Sequence, residues 1–250
     1  MTNAKVGIIT GASSGIGMAL ARELARGGWS LGLLARRGDE LEKLAAELRL
    51  TRVSCHPLSV DVTDRTAMHR AFKSVEESLG PVELFVANAG ISVPTLVSPL
   101  NVDDISRVYA LNFHAMTYGF EAALPGMLAR KSGHLVAVSS LAGYFTFPGE
   151  SAYCSSKAAV NSFTAGLRTQ LAPRGVHVTT ICPGFIRTPM VAKNRFKMPF
   201  LMDADEAARR MAAAIERRAG VYNFPWQTHL LTRMCRLLPG AVLLKMAKKS

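Results

Sequence analysis

Tyr153 and Lys157 stand four residues apart in Ser151-Ala-Tyr-Cys-Ser-Ser-Lys157. On a helix that spacing puts both side chains on one face. A free tyrosine titrates near pH 10 and is a poor acid at neutrality. A unit positive charge about 4 Å away is worth roughly 4 kcal/mol at an effective dielectric of 20, or about 3 pKa units. The pair therefore predicts a phenol drawn toward pH 7, with burial opposing part of the shift. A tyrosine tuned in this way can protonate a carbonyl oxygen. Ser140, at the end of the apolar run His134–Ser139, can hydrogen-bond the same oxygen. No histidine is placed to activate it, so it reads as a polariser rather than a nucleophile.

A second chemistry lies near the N-terminus, in Thr10-Gly11-Ala12-Ser13-Ser14-Gly15-Ile16-Gly17. Glycines between a strand and a helix let backbone amides approach a pyrophosphate, and the helix N-terminus adds the positive end of its dipole. The spacing G-x-x-x-G-x-G differs from the usual dinucleotide fingerprint. Gly11, Ser13, Ser14, Gly15, Ile16 and Gly17 are the expected cofactor contacts. After the second strand, an NAD site usually carries an acidic residue for the ribose 2′-hydroxyl. Here the strand ends Leu34-Ala35-Arg36-Arg37, and Asp39 and Glu40 come only later. Arg36 can fork onto a 2′-phosphate, so NADP(H) is expected over NAD(H). Asp61 and Val62, closing the third strand, are expected to flank the adenine.

Alternating elements must position these residues. Short apolar runs at Val6–Thr10, Ser30–Ala35, Val53–Val60, Leu84–Ala87, His134–Ser139 and Val176–Ile181 read as buried strands, with Val221–Phe224 as a short last one. Between them lie helical patterns, such as Leu41, Leu44, Ala45 and Leu48 on one face. One long helix is expected over Asp104–Arg130, with a break near Pro125. Asp203-Ala-Asp-Glu206 resembles a capping box. The rhythm predicts an α/β fold: a Rossmann-like, doubly wound parallel sheet of about seven strands with helices on both faces. Residues 1–250 read as a single domain, with irregular stretches at 183–202 and after Pro225.

Composition narrows the function. The chain has 250 residues, 49% of them hydrophobic and 19% charged, which excludes global disorder. The opening Met1-Thr2-Asn3-Ala4-Lys5 has no secretory apolar stretch, and no long apolar run follows, so a cytoplasmic protein is expected. Cys55, Cys154, Cys182 and Cys235 have neither zinc nor disulfide-framework spacing, and reduced thiols are expected. His56, His69, His114, His134, His177 and His229 show no ligand spacing, so no metal is expected. The net charge is +12, and after Glu216 no acidic residue occurs. No nucleic-acid motif accompanies that charge, and aromatic residues at 7% are scarce for base stacking.

The chain resembles the short single-domain members of the short-chain dehydrogenase/reductase family. The motifs are the glycine loop 10–17, Asn88-Ala89-Gly90, Asn112, Ser139-Ser140, Tyr153-x-x-x-Lys157 and Pro183-Gly184, in the family's order and covering about residues 5–190. The resemblance implies a reaction between a carbonyl and an alcohol, with Asn112, Ser140, Tyr153 and Lys157 catalytic. It implies that Lys157 holds the nicotinamide ribose and that Asn112 holds a water relaying protons from the lysine. Asn88, Ala89 and Gly90 are then the turn beside the cofactor. Pro183, Gly184, Ile186 and Thr188 approach the nicotinamide, while Tyr153 and Lys157 also touch the cofactor.

Two departures matter. Ala87 replaces the first Asn of the family's Asn-Asn-Ala-Gly, with little expected effect. The usual Val-Asp-Gly-Gly end is absent, which puts a tetramer in doubt and leaves a homodimer through the long helices. Substrate walls are expected from the loops after Ser140 and Gly184: Leu141, Tyr144, Phe145, Phe147 and Met190, then Phe196, Met198, Phe200, Leu201 and Met202. Ser140, Phe145, Tyr153 and Met190 are the expected substrate contacts. Apolar, Met-rich walls suit a small lipophilic substrate. The apolar-basic segment 226–250 reads in two ways: an interfacial helix giving peripheral contact with anionic membrane, or a core-packing helix or dimer contact with a solvated basic rim. The second is the expectation. The alternative function is an NADP(H)-binding regulatory or membrane-surface protein with little turnover.

Overall fold

The computed structural model describes residues 5–146, 148–193 and 198–236. Phe147, Phe196 and the tail from Leu237 onward, all named above, lie outside the described residues.

Seven strands form one parallel sheet: β1 (Val6–Thr10), β2 (Ser30–Ala35), β3 (Cys55–Ser59), β4 (Val82–Ala87), β5 (Gly133–Val138), β6 (Val176–Pro183) and β9 (Val221–Phe224), in the order β3-β2-β1-β4-β5-β6-β9. β1, β2 and β5 are buried at every position, as a parallel sheet covered on both faces requires. On one face α1 (Gly15–Arg26), α2 (Gly38–Arg49) and α7 (Ala204–Glu216) contribute Leu20, Leu24, Leu41, Leu44, Met211 and Ile215. On the other lie α3 (Arg65–Leu79), α5 (Ala115–Ala129) and α6 (Ser151–Leu171), with Met68, Phe72, Val75, Phe120, Met127 and Val160. Phe85 of β4 ties this second layer together, edge-on to Phe72 at 5.0 Å and to Phe120 at 6.0 Å between ring centroids. Strand order reverses at β1, which opens a crevice at the carboxyl ends of β1 and β4, where doubly wound sheets take ligands.

Three expectations are corrected. The long helix is not broken at Pro125, which sits inside α5; packing of Phe120, Ala123 and Met127 on the sheet outweighs the one hydrogen bond lost there. The irregularity lies earlier, as a π-helical turn at Ala110–His114 between α4 (Val102–Tyr109) and α5. Asp203 precedes α7 without capping it, because its carboxylate pairs instead with Arg187 at 2.9 Å. The stretch 183–202 is not wholly irregular: β7 (Ile186–Arg187) pairs with β8 (Met202–Asp203).

In the described part of the C-terminal segment, the apolar residues do not pack as a core helix. In α8 (Trp226–Arg236) the buried residues are Thr228 and Thr232, while Trp226, Leu230, Leu231 and Met234 face outward. Among the described residues no helix is long and apolar enough to cross a membrane.

Candidate active site

A cleft of about 780 Å³ runs along the carboxyl ends of the strands. The β1–α1 loop forms its floor. Gly11 and Gly15 adopt positive φ, +68° and +56°, which glycine takes without strain. The hydroxyl of Thr10 accepts from the amides of Asn88 (3.0 Å) and Ala89 (3.1 Å), and the Asn88 side chain donates to Thr10 O at 3.0 Å. The glycine loop and the β4 turn are therefore stitched together, and Asn88 does this without the missing first Asn. Helix α1 begins with no side-chain cap and no acidic residue in its first turn. Its amino end is free to receive an anion.

Gly11, Ser13, Ser14, Gly15, Ile16 and Gly17 all line this cleft. So do Asn88, Ala89 and Gly90 on one wall and Pro183, Gly184, Ile186 and Thr188 on the other. Arg36, Asp61 and Val62 border its far end. There the Asp61 carboxylate accepts from the amide (3.0 Å) and hydroxyl (2.7 Å) of Thr63, which hold it below its ordinary pKa and make it a turn former. Arg36 is exposed, and its carbonyl accepts from Ser59 at 3.0 Å. Its neighbour Arg37, which sequence reasoning passed over, reaches the glycine loop. The Arg37 guanidinium donates to Ser13 Oγ (3.0 Å), Ser13 O (3.2 Å) and Ser14 Oγ (2.6 Å). Two adjacent arginines look alike in a sequence; only the turn into α2 decides which faces the loop.

At the other end of the cleft α6 presents Tyr153 and Lys157, and the end of β5 presents Ser140. The Ser140 hydroxyl hydrogen-bonds Tyr153 and accepts from Ala142 N at 3.1 Å. Ser139 turns inward, donating to Lys157 O at 3.1 Å, so of the two serines Ser140 is the one beside the phenol. The Lys157 ammonium donates to Val138 O at 2.9 Å and lies 5.8 Å from the centroid of the Tyr153 ring.

The tyrosine is not drawn toward pH 7. Burial pushes its pKa up to about 12, with the Ser140 hydrogen bond opposing. Burial also pulls Lys157 down to about 8. The charge-pair estimate fails because desolvation acts on both partners and exceeds their attraction at this distance. Tyr153 is thus a neutral phenol, held ready as a proton donor.

Asn112 does not line the cleft; it stands behind it, buried in the π-helical turn. Its amide accepts from Ile91 N (2.8 Å) and donates to Ile91 O (3.0 Å) and Ser156 Oγ (3.0 Å). It joins the β4 loop to α6 one residue before Lys157. A Cβ on Gly90 would lie 3.1 Å from Asn112 Oδ1 and 3.6 Å from Lys157 Nζ, so a side chain there would crowd Asn112.

The expected substrate walls divide. Met190 lines the cleft, as do Ile91, Ser92 and Val93 of the β4 loop, which the sequence did not single out. Phe145 is not in the lining. Leu141 belongs to the buried core. Tyr144 turns to the sheet edge and donates to Asn223 Oδ1 at 3.1 Å. Phe200, Leu201 and Met202 line a separate hollow of about 260 Å³ beside Pro225 and Trp226. Among the described residues no group of three or more His, Cys, Asp or Glu gathers.

A parallel sheet crossing at β1 and β4, a glycine loop at the crevice, and a Tyr-Lys pair with a serine beside it define a dinucleotide-binding oxidoreductase of the short-chain type. The family model for short chain dehydrogenases matches residues 5–198, and the chain belongs to that family. An uncharacterized oxidoreductase of Myxococcus xanthus is 38% identical over 94% of this chain and 93% of its own length. An uncharacterized oxidoreductase of Mycobacterium tuberculosis is 35% identical over 93% of each. Among solved structures, a variant of actinorhodin polyketide ketoreductase crystallised with NADPH superposes with a TM-score of 0.83 at 26% identity, covering 90% of this chain and 97% of that one. An alcohol dehydrogenase from Thermococcus sibiricus complexed with 5-hydroxy-NADP gives 0.79 at 28%, covering 88% and 94%.

Proposed function

We propose that the protein is an NADP(H)-dependent oxidoreductase that interconverts a carbonyl and an alcohol on a small lipophilic substrate. The observation that carries this reading is the meeting of Tyr153, Ser140 and Lys157 at one end of a cleft whose other end is lined by the glycine loop and two arginines.

The residues present fit a nicotinamide dinucleotide: the uncapped start of α1 suits the pyrophosphate, and Arg37, with Arg36 beside it, suits a 2′-phosphate. The solved relatives carrying NADPH or an NADP derivative support the same choice. When bound, the cofactor supplies or takes the hydride at the substrate carbon. Ser140 Oγ and Tyr153 Oη donate hydrogen bonds to the substrate oxygen and polarise the carbonyl. The Tyr153 proton passes to that oxygen as the alcohol forms. Lys157, bonded to Val138 O, sits where it can hold the ribose and stabilise the phenolate left behind. Asn112 acts through its bonds to Ile91 and Ser156, fixing the β4 loop against α6.

Met190, Ile91 and Val93 give the substrate end an apolar lining, which supports a lipophilic substrate. A homodimer through α4–α5 and α6 is part of this reading; Phe163 is exposed on α6 beside Phe113. Cys55, Cys154, Cys182 and Cys235 stand outside any disulfide among the described residues, which supports a cytoplasmic setting.

The test is oxidation of NADPH and NADH against a panel of lipophilic ketones, aldehydes and quinones, with Tyr153→Phe as control. Turnover with NADPH that falls at least ~100-fold in the variant is expected. Equal turnover by the variant would remove Tyr153 from the mechanism. Cofactor binding without turnover on any of these substrates would favour the regulatory alternative.

A further inference from the structure

Helix α8 is amphipathic the wrong way round for a helix packed on a core. Trp226, Leu230 and Met234 recur at i, i+4 and i+8, the spacing of one helical stripe. That stripe is turned outward, with exposures of 65%, 50% and 57%. The inward face carries Thr228 and Thr232, each 6% exposed. The orientation is fixed by contacts rather than by chance. Thr228 lies 3.3 Å from where a Cβ on Gly184 would stand. Thr232 donates to Thr228 O at 2.8 Å, and the His229 ring packs edge-on to Tyr144 at 5.8 Å. Small polar residues permit that close approach, and the apolar ones are left facing out. Phe200, 53% exposed, stands across the small hollow from Trp226 and extends the patch. Met190, at the cleft, and Val97, on the β4 loop, are also exposed, and all these segments leave the carboxyl edge of the sheet.

Charge indicates what covers this face. Arg233 is exposed and flanks the stripe. Residues 226–250 contain Arg233, Arg236, Lys245, Lys248 and Lys249 and no acidic residue. The acidic residues of the neighbouring β8–α7 segment include Asp203 and Glu206, which are already paired, with Arg187 and with Arg210. An anionic lipid surface offers what the face lacks: acyl chains for the tryptophan and aliphatic stripe, and phosphates for Arg233.

We infer that the outward face of α8, with Phe200 and Arg233, docks the protein on anionic membrane. Because α8 packs on Gly184 at the rim of the cleft, docking sets the substrate end of the cleft at the bilayer surface. The docking stands independently of the catalytic reading; only the entry of lipophilic substrate from the bilayer rests on it.

The experiment uses the full chain and sedimentation with vesicles of phosphatidylcholine alone or with about 30% phosphatidylserine. Binding is expected to the anionic vesicles, weakening as salt rises from about 0.1 to 0.5 M. In a Trp29→Phe background, Trp226 emission should shift to the blue on those vesicles alone. The exposed triple variant W226S/L230S/M234S should bind at least ~10-fold more weakly, and R233E should lose anionic binding by several fold. Circular dichroism and NADPH binding report that each variant is folded. Unchanged pelleting of the folded triple variant would overturn the inference. So would a triple variant that falls from dimer to monomer in light scattering while the wild type ignores vesicles, since a second copy would then be the occupant. A wild type that reduces no carbonyl yet binds vesicles as described would refute the catalytic reading and leave this one standing.

Discussion

Lys157 is a buried cation whose ammonium donates to the carbonyl of Val138, and its burial holds its pKa at about 8 against an ordinary 10.5. Below pH 8 it is protonated in folded and unfolded chains alike, and the full cost of burying its charge is present. Between about 8 and 10.5 the folded protein sheds the proton while the unfolded chain keeps it, so stability rises with pH through that window. In the cofactor-free protein, the unfolding free energy of wild type relative to Lys157→Met should rise by on the order of 3 kcal/mol across the window. Urea melts of both at a series of pH values check this; a difference that stays flat would mean the lysine is not held low. Arg37 offers a second test at this scale. Arg37→Ala should raise KM for NADPH about 10-fold or more with little change for NADH, because its guanidinium stands over Ser13 and Ser14. Arg36→Ala separates the two arginines: an equal effect would make the 2′-phosphate site a joint one, and a larger effect would return the role to Arg36.

At the scale of elements, the glycine loop is constrained by what it touches. A Cβ on Gly17 would lie 2.3 Å from Gly11 O and 2.5 Å from Asn88 Nδ2, and the first is backbone that cannot yield. Gly17→Ala should therefore abolish cofactor binding and lower the melting temperature. Gly166, in the middle of α6, meets nothing within 4 Å, and Gly166→Ala should instead stabilise by about 0.5–1 kcal/mol. Thermal melts of the two variants give opposite signs if the local geometry is right. All seven strands of the main sheet were legible in the sequence because each is a short apolar run next to a turn signal or a helical period. The Tyr153–Lys157 pair was legible for the same reason: a helix period fixes a face without reference to the rest of the fold. The π-helical turn at Ala110–His114 was not, since one extra residue in a turn leaves the apolar pattern almost unchanged. Asp203 looked like a cap until Arg187, distant in sequence, competed for it. In α8 the period was readable but its direction was not, because a stripe of Trp226, Leu230 and Met234 says that a helix is two-faced and not which face meets the protein.

At the scale of the whole molecule, the two layers of helices depend on the sheet between them, and Phe85 is where one layer is most tightly keyed. A Cβ on Gly119 would lie 2.1 Å from Phe85 Cζ, so the ring occupies a notch that only glycine leaves open. Phe85→Ala should cost about 3–5 kcal/mol in urea unfolding, and Gly119→Ala, disruptive alone, should recover part of that loss in the Phe85→Ala background by filling the space. Failure of the pair to couple would mean that the notch relaxes independently of the ring. The strand order also bears on how the chain is made. β1 leaves the ribosome before its two neighbours in the sheet, and β2 is the first of them to follow and pair with it. Its other edge belongs to β4, and stays unpaired until Val82–Ala87 has been synthesised. At ~5–20 residues per second that edge waits for several seconds. During this interval an apolar strand with open hydrogen-bonding groups is available to the wrong neighbour, so the nascent first half is the stage at which a chaperone would have most effect on yield.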